Sequence, residues 1–142
     1  MTTARDIMTH DVECASVNET LVDAARKMRD LGVGALPICG EDDRLKGMLT
    51  DRDITVRVVA EGKDPGSVKV SELADGEPVT IGADVDLKDA LRTMQEHDVR
   101  RLPVIDGHQL VGMISQGDIS QNLAGTQTGT LVEDISQAPP NN

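Results

Sequence analysis

Apolar positions in this chain recur with a helical period, then a strand period, and then do so again. Leu21, Ala24, Ala25, Met28 and Leu31 fall on one stripe of a helix. Thr20 and Asp23 have the spacing of a capping box at its start, and Gly32 suits its end. Two short apolar runs follow, Ala35–Cys39 and Leu45–Leu49, joined by the turn-forming Gly-Glu-Asp-Asp-Arg. They predict a hairpin that runs into a helix over Asp51–Ala60. The second series matches: Leu87, Ala90, Leu91 and Met94 on a helix capped by Asp86, strands Arg101–Ile105 and Gln109–Ile114 around Asp-Gly-His, then a helix over Gln116–Leu123. Short strands are expected before each long helix, near Val12–Ala15 and Val79–Ile81. Pro37 and Pro103, early in their strands, predict an edge or a strand start.

The two series are one unit written twice. Leu21, Ala24, Met28, Val33, Leu36, Pro37, Leu45, Gly47, Met48, Asp53 and Ile54 return as Leu87, Ala90, Met94, Val99, Leu102, Pro103, Leu110, Gly112, Met113, Asp118 and Ile119. One residue is dropped in the hairpin loop. The predicted class is α/β, two βαββα repeats packed with pseudo-twofold symmetry around a cleft. Domain 1 is placed at 4–60 and domain 2 at 67–123, separated by Glu-Gly-Lys-Asp-Pro-Gly. Each repeat is about 60 residues, near the lower limit for an independent core, so the copies are expected to pack together. Residues 124–142, rich in Gly, Thr, Gln, Pro and Asn, read as a flexible tail in which Leu131–Ile135 could dock.

Charge and composition narrow the functions. A net charge of −11 repels phosphate backbones and anionic lipid, which argues against nucleic acid and membrane as partners. The chain has no Phe, Tyr or Trp, so no aromatic platform can stack bases and the core is aliphatic. No apolar run reaches the roughly 20 residues of a membrane span. The first residues lack the hydrophobic core of a secretion signal, so a cytoplasmic location is expected, with non-classical export as the alternative.

The candidate chemistry lies where each second hairpin strand meets its helix. The first copy reads Gly47-Met-Leu-Thr50-Asp-Arg-Asp53 and the second Gly112-Met-Ile-Ser115-Gln-Gly-Asp118. Free N–H groups at such a junction attract anions. The hydroxyl suits a phosphate and the carboxylate a ribose diol. The same Ser/Thr-x-x-Asp spacing is also that of a simple helix cap, and the two roles are compatible. No nucleophile–base pair, glycine-rich phosphate loop or paired carboxylates stand out, so no catalytic residue is assigned and the chain is not expected to be an enzyme.

The Leu36-Pro37-Ile38 and Leu102-Pro103-Val104 strands, with the two Gly-Met-[Leu/Ile]-[Thr/Ser]-x-x-Asp-Ile segments, resemble cystathionine-β-synthase (CBS) domains, and the pair resembles a Bateman module. The likeness covers roughly residues 4–122. More narrowly, the chain is similar to small stand-alone CBS pairs of the stress-response type, including those linked to hypoxia. This resemblance implies a regulatory homodimer with AMP, ADP or ATP in the clefts. It implies that Asp53 and Asp118 hold ribose hydroxyls and that Thr50 and Ser115 approach phosphate. It also implies that basic residues before Leu-Pro reach phosphates, which here are Arg100 and Arg101. The first copy has Gly34 and Ala35 there, so at most one cleft suits a phosphate chain. The alternative is a structural or protein-interaction stress protein with empty clefts and an unknown protein partner.

Cys14 and Cys39, the only cysteines, align with Ile81 and Ile105, which favours two buried, inert thiols. In this fold their strands are neighbours, so a Cys14–Cys39 disulfide is also geometrically open. His97 takes the place of Leu31 and reads as a partly buried residue at a helix end. It is a weak candidate metal ligand, and no zinc-type spacing accompanies His10, His97 or His108.

Overall fold

The computed structural model describes residues 1–74, 76 and 78–123. The tail placed at 124–142, including Leu131–Ile135, lies outside the described residues. The described residues divide into two compact units, one formed by Met1–Val12 with residues 79–123, the other by Glu13–Pro78.

In Glu13–Pro78 the elements are β1 (Ala15–Ser16), α2 (Leu21–Leu31), β2 (Ala35–Cys39), β3 (Leu45–Thr50) and α3 (Asp51–Ile54), with α1 reserved for Ala4–Ile7 of the other unit. The sheet order is β1-β2-β3, with β1 parallel and β3 antiparallel to the central β2. Helix α2 starts where the spacing predicts. Thr20 Oγ1 accepts from the Asp23 N–H at 3.2 Å, and the Asp23 carboxylate accepts from the Thr20 N–H at 3.1 Å. That second bond holds the Asp23 carboxyl below its ordinary range. Gly32 ends the helix at φ 68°, the left-handed conformation glycine adopts without strain. Leu21, Ala24, Met28, Leu36, Ile38 and Leu49 are all nearly or fully buried in one core.

The other unit repeats the plan with β4 (Ile81–Gly82), α4 (Leu87–His97), β5 (Arg101–Asp106), β6 (Gln109–Ser115) and α5 (Gln116–Ser120). Its order is β4-β5-β6 with the same pairing senses. Leu87, Ala90, Met94, Leu102, Val104 and Ile114 form the matching core.

Each unit also carries a strap from outside its own βαββα stretch. In one, α1 (Ala4–Ile7) lies over the second repeat: the Ala4 N–H donates to Val85 O and the Arg5 N–H to Ala83 O, both at 2.9 Å. In the other, the turn Val70–Leu73 does the same for the first repeat, with Val70 N–H to Glu19 O at 2.8 Å and Ser71 N–H to Val17 O at 3.1 Å. Ala4 and Val70 are fully buried beneath these straps. The compact units and the sequence repeats therefore have different membership.

Several sequence expectations are corrected. Pro37 and Pro103 sit in the central strands, not at an edge. The parallel pairing begins only at Ile38 and Val104, so each proline precedes it and no parallel ladder bond is lost there. Ala25 is exposed and Leu31 is 48% exposed, so the stripe on α2 is narrower than its spacing suggests. The helix expected over Asp51–Ala60 is α for one turn only and continues as a π-type turn over Thr55–Val59. The first strand of each unit begins later than expected, at Ala15 and Ile81.

Candidate functional site

Both strand–helix corners are built from the same bonds. In Glu13–Pro78, Thr50 Oγ1 accepts from the Asp53 N–H at 3.1 Å, while Asp53 Oδ2 accepts from the Thr50 N–H at 2.9 Å. In the other unit Ser115 Oγ accepts from the Asp118 N–H at 3.1 Å, and Asp118 Oδ2 from the Ser115 N–H at 2.8 Å. The capping reading is thus realised at both corners. It leaves chemistry available, because a hydroxyl that accepts one bond still has its own proton to donate. The helix N–H groups are less available than the sequence suggests: the Asp51 N–H donates to Gly34 O at 2.9 Å and the Gln116 N–H to Arg100 O at 2.8 Å.

Strand register decides what stands beside each cap. Ala35 pairs with Thr50, and Arg101 pairs with Ser115. The sequence equivalence of Gly34-Ala35 with Arg100-Arg101 therefore holds in space. At one corner the half-buried Arg100 and the exposed Arg101 join Ser115 and Asp118. At the other the bare backbone of Gly34 lies under a carboxylate, and a Cβ there would meet Asp51 Oδ2 at 3.2 Å. The counterpart of Asp51 is the neutral Gln116. Asp51 is a residue that sequence reasoning missed as part of this corner. Its signal was the Asp/Gln difference between aligned copies. One corner thus has two cations and one carboxylate nearby, and the other has two carboxylates beside its cap, with Arg52 on the same turn.

The Cys14 and Cys39 sulfurs lie at disulfide-bonding distance, with Cα atoms 5.7 Å apart, and neither thiol is free. Two inert thiols are therefore not what the structure places here. Register also corrects their alignment: Ala15 pairs with Ile38 as Ile81 does with Val104, so Ile81 stands for Ala15 and Cys14 matches Thr80. The Lys27 ammonium donates to Cys14 O at 2.9 Å and pairs with Glu19 at 2.6 Å, fixing the backbone beside the sulfur. That brace spans distant sequence positions and carries no local signal. His97 ends α4 exposed rather than partly buried. Among the described residues, no three His, Cys, Asp or Glu side chains converge as a metal site needs.

The CBS domain family model matches residues 4–60 and 70–125. The chain belongs to the CBS-domain family. It is 50% identical over 123 residues to hypoxic response protein 1 of Mycobacterium tuberculosis (strain ATCC 25618 / H37Rv), covering 87% of this chain and 86% of that protein. A crystal structure of Hypoxic Response Protein I with two coordinated zinc ions matches at a TM-score of 0.79 and 50% identity, covering 87% of this chain and 100% of that one. CBSX2, solved in complex with AMP, shares the fold at a TM-score of 0.73 and 23% identity, over 85% of this chain and 95% of that one. CBS-domain proteins are in general regulatory rather than catalytic, and this chain is a relative of that kind. No helix among the described residues is long and apolar enough to cross a membrane.

Proposed function

We propose that this chain is a non-catalytic regulatory module that binds an adenine nucleotide (AMP, ADP or ATP) at the Arg100, Arg101, Ser115 and Asp118 corner, and that it works as a homodimer. The observation that carries this reading is the pairing of Arg101 with Ser115 across β5 and β6, beside the Arg100 carbonyl that holds Gln116. Guanidinium groups form charge-assisted bonds to phosphate oxygens. The Ser115 hydroxyl donates to the same phosphate, and the Asp118 carboxylate accepts from the ribose diol. The Thr50 and Asp53 corner is the weaker site, because Asp51 adds negative charge where a phosphate would lie. Both hydroxyls serve caps instead of facing a base, in keeping with binding rather than nucleophilic chemistry. Nucleotide that binds one dimer state more tightly would shift the balance between states and pass a signal to a protein partner.

Isothermal titration calorimetry at low salt tests this. We expect ATP to bind, Arg101→Ala to weaken it by about tenfold or more, and Asp118→Asn, which can keep the cap, to weaken all three nucleotides. No heat at millimolar nucleotide ends the proposal.

A second reading has its own observation. The Cys14–Cys39 pair favours a stress protein stiffened by a disulfide and working through protein contacts. Such a bond is uncommon in a reducing cytoplasm, so it also bears on location. Alkylation of the denatured protein without reductant decides it: two labelled thiols remove the disulfide, and none supports it. Cell fractionation separates cytoplasmic residence from non-classical export.

A further inference from the structure

The two straps hold their units by the same backbone bonds but carry different side chains. Arg5 and Ser71 occupy equivalent places, since the Arg5 N–H donates to Ala83 O and the Ser71 N–H to Val17 O. Asp84 then matches Asn18, and strand register matches Asp106 with Gly40. Met8 and Ala74 match as well, each lying against the aligned glycine, Gly112 or Gly47. In the unit containing α4, the Arg5 guanidinium bridges two carboxylates: Nη2 is 2.9 Å from Asp106 Oδ2, and Nε is 3.5 Å from Asp84 Oδ1. Met8 is nearly buried there. In Glu13–Pro78 the short side chains of Ser71 and Ala74 replace both, and a hollow of about 670 Å³ is open at the matching place. Its lining includes Val17, Asn18, Gly40 and Ala74, the counterparts of Ala83, Asp84, Asp106 and Met8. Small-molecule pockets usually run to about 300–1,000 Å³, so this volume suits a ligand rather than a single water.

We propose that this hollow binds a free guanidinium-bearing amino acid of the arginine class, which brings from solution the group that Arg5 supplies within the other unit. The lining has a partner for each part of such a molecule. Glu41 Oε1 accepts from Asn18 Nδ2 at 2.6 Å, which sets the carboxylate in place. Glu41 Oε2 and the Asn18 amide oxygen can then both accept from a guanidinium. Half-buried Val17 and Ala74 offer an apolar base for the aliphatic stem. Lys46 Nζ lies 3.3 Å from Asp42 Oδ2, and an ammonium with one such bond still has protons for an α-carboxylate. Walls of both signs fit a zwitterion with a cationic tail better than a bare cation. Gly40 lets the polar side lie close, because a Cβ there would sit 2.6 Å from Lys46 Cε and 2.8 Å from Asp42 Oδ1. Lys46 is near the start of β3 and Thr50 is its last residue, so the hollow and the nucleotide corner lie toward opposite ends of one strand. The proposal is independent of nucleotide binding.

The test is methyl NMR titration of the full chain with L-arginine. The Val17 and Ala74 methyl signals should shift and saturate below about 10 mM, while those of Leu21 and Leu49 in the core stay put. L-citrulline, which has a neutral urea in place of the guanidinium, should bind about tenfold more weakly or not at all. Agmatine, which lacks the carboxylate, should also lose about tenfold. Ala74→Met copies Met8, and Ser71→Arg combined with Gly40→Asp copies Arg5 and Asp106. Each should fill the hollow from within and abolish the arginine shifts. Glu41→Gln changes only an exposed side chain and should weaken arginine by about tenfold with the fold intact. No saturable shift with arginine overturns the proposal. So does citrulline or agmatine binding as tightly as arginine, and so does arginine binding that survives Ala74→Met or Glu41→Gln unchanged.

Discussion

The unit Glu13–Pro78 is a single stretch of chain closed by Cys14 and Cys39, whereas its counterpart recruits Met1–Val12 to complete a core that starts again at Val79. One template has thus been stabilised in two ways. Where side chains are buried, the copies hardly differ: Leu21 and Leu87, Met28 and Met94, Leu36 and Leu102 occupy equivalent core places. Close packing punishes a change of even one methylene there. At the corners, where side chains are half-exposed, Gly34 and Asp51 face Arg100 and Gln116 as alternatives. The lesson is that burial preserves the duplication and exposure lets it diverge, so a function that uses only one copy is to be sought at the corners.

The largest effect that could break this comparison is removal of the strap. Deleting residues 1–9 takes the buried Ala4 and Met8 from one core and leaves the other core's membership intact. It also removes the paired bonds between Thr9 and Met113, at 2.8 and 3.1 Å. We expect hydrogen-exchange protection to be lost across α4, β5 and β6 and kept in α2, β2 and β3. Equal loss in both would mean that the units do not hold separate stability. The disulfide gives the opposite asymmetry. It closes a loop with a sequence separation of 25 residues. Cross-linking a loop of that length stabilises by about 3 kcal/mol in the chain-entropy view. Reduction, or Cys14→Ser, should therefore lower denaturant stability by about 2–4 kcal/mol, with exchange rising first in β1 and β2.

A subtler contrast concerns two aligned glycines. A Cβ on Gly112 would sit 2.7 Å from Thr9 O and 2.6 Å from Met8 Sδ, whereas on Gly47 the nearest atom, Ala74 Cα, is 3.5 Å away. Gly112→Ala must push the strap off β6 and should cost about 1–3 kcal/mol. Gly47→Ala meets ordinary contact distances and should cost less than about 1 kcal/mol. Matching losses in urea melts of the two variants would show that the strap on β6 yields more readily than its contacts indicate.

Much of this was legible before any coordinates. Period and spacing located both long helices, both hairpins and the caps at Thr20, Thr50, Asp86 and Ser115, because those signals are local, whereas the caps of the straps at Thr3 and Lys69 went unread. What escaped depended on partners far along the chain. Nothing local to Thr3–Ile7 says that it belongs beside Asp86 rather than Thr20, yet bridges join Thr3 to Asp86 and Lys69 to Thr20. The prolines misled because strand rules do not anticipate a parallel partner only two residues long. The corner residues Thr50, Asp53, Ser115 and Asp118 were found by motif, but Asp51 became part of a corner only once register placed it over Gly34.

The smallest effect is acid sensitivity of the strap and of α2. Asp6 accepts from the Thr3 N–H at 2.8 Å, which lowers its carboxyl below the ordinary 3.8, as the Thr20 N–H does for Asp23. A carboxyl whose folded value lies below its unfolded value contributes stability above the unfolded value and loses it as pH falls through the folded one. Both caps should therefore hold at neutral pH and weaken only below about pH 4. Asp6→Asn reports on the strap alone, since the amide oxygen can keep the bond to the Thr3 N–H without titrating. Between pH 5 and pH 2.5, the variant should show a shallower fall in stability than the wild type, and exchange should separate the two most in β6. Asp23→Asn should place that difference in α2 instead. If both variants changed the same amides, the independence of the two cores under acid would be refuted, and with it the view that each strap guards only the unit it covers.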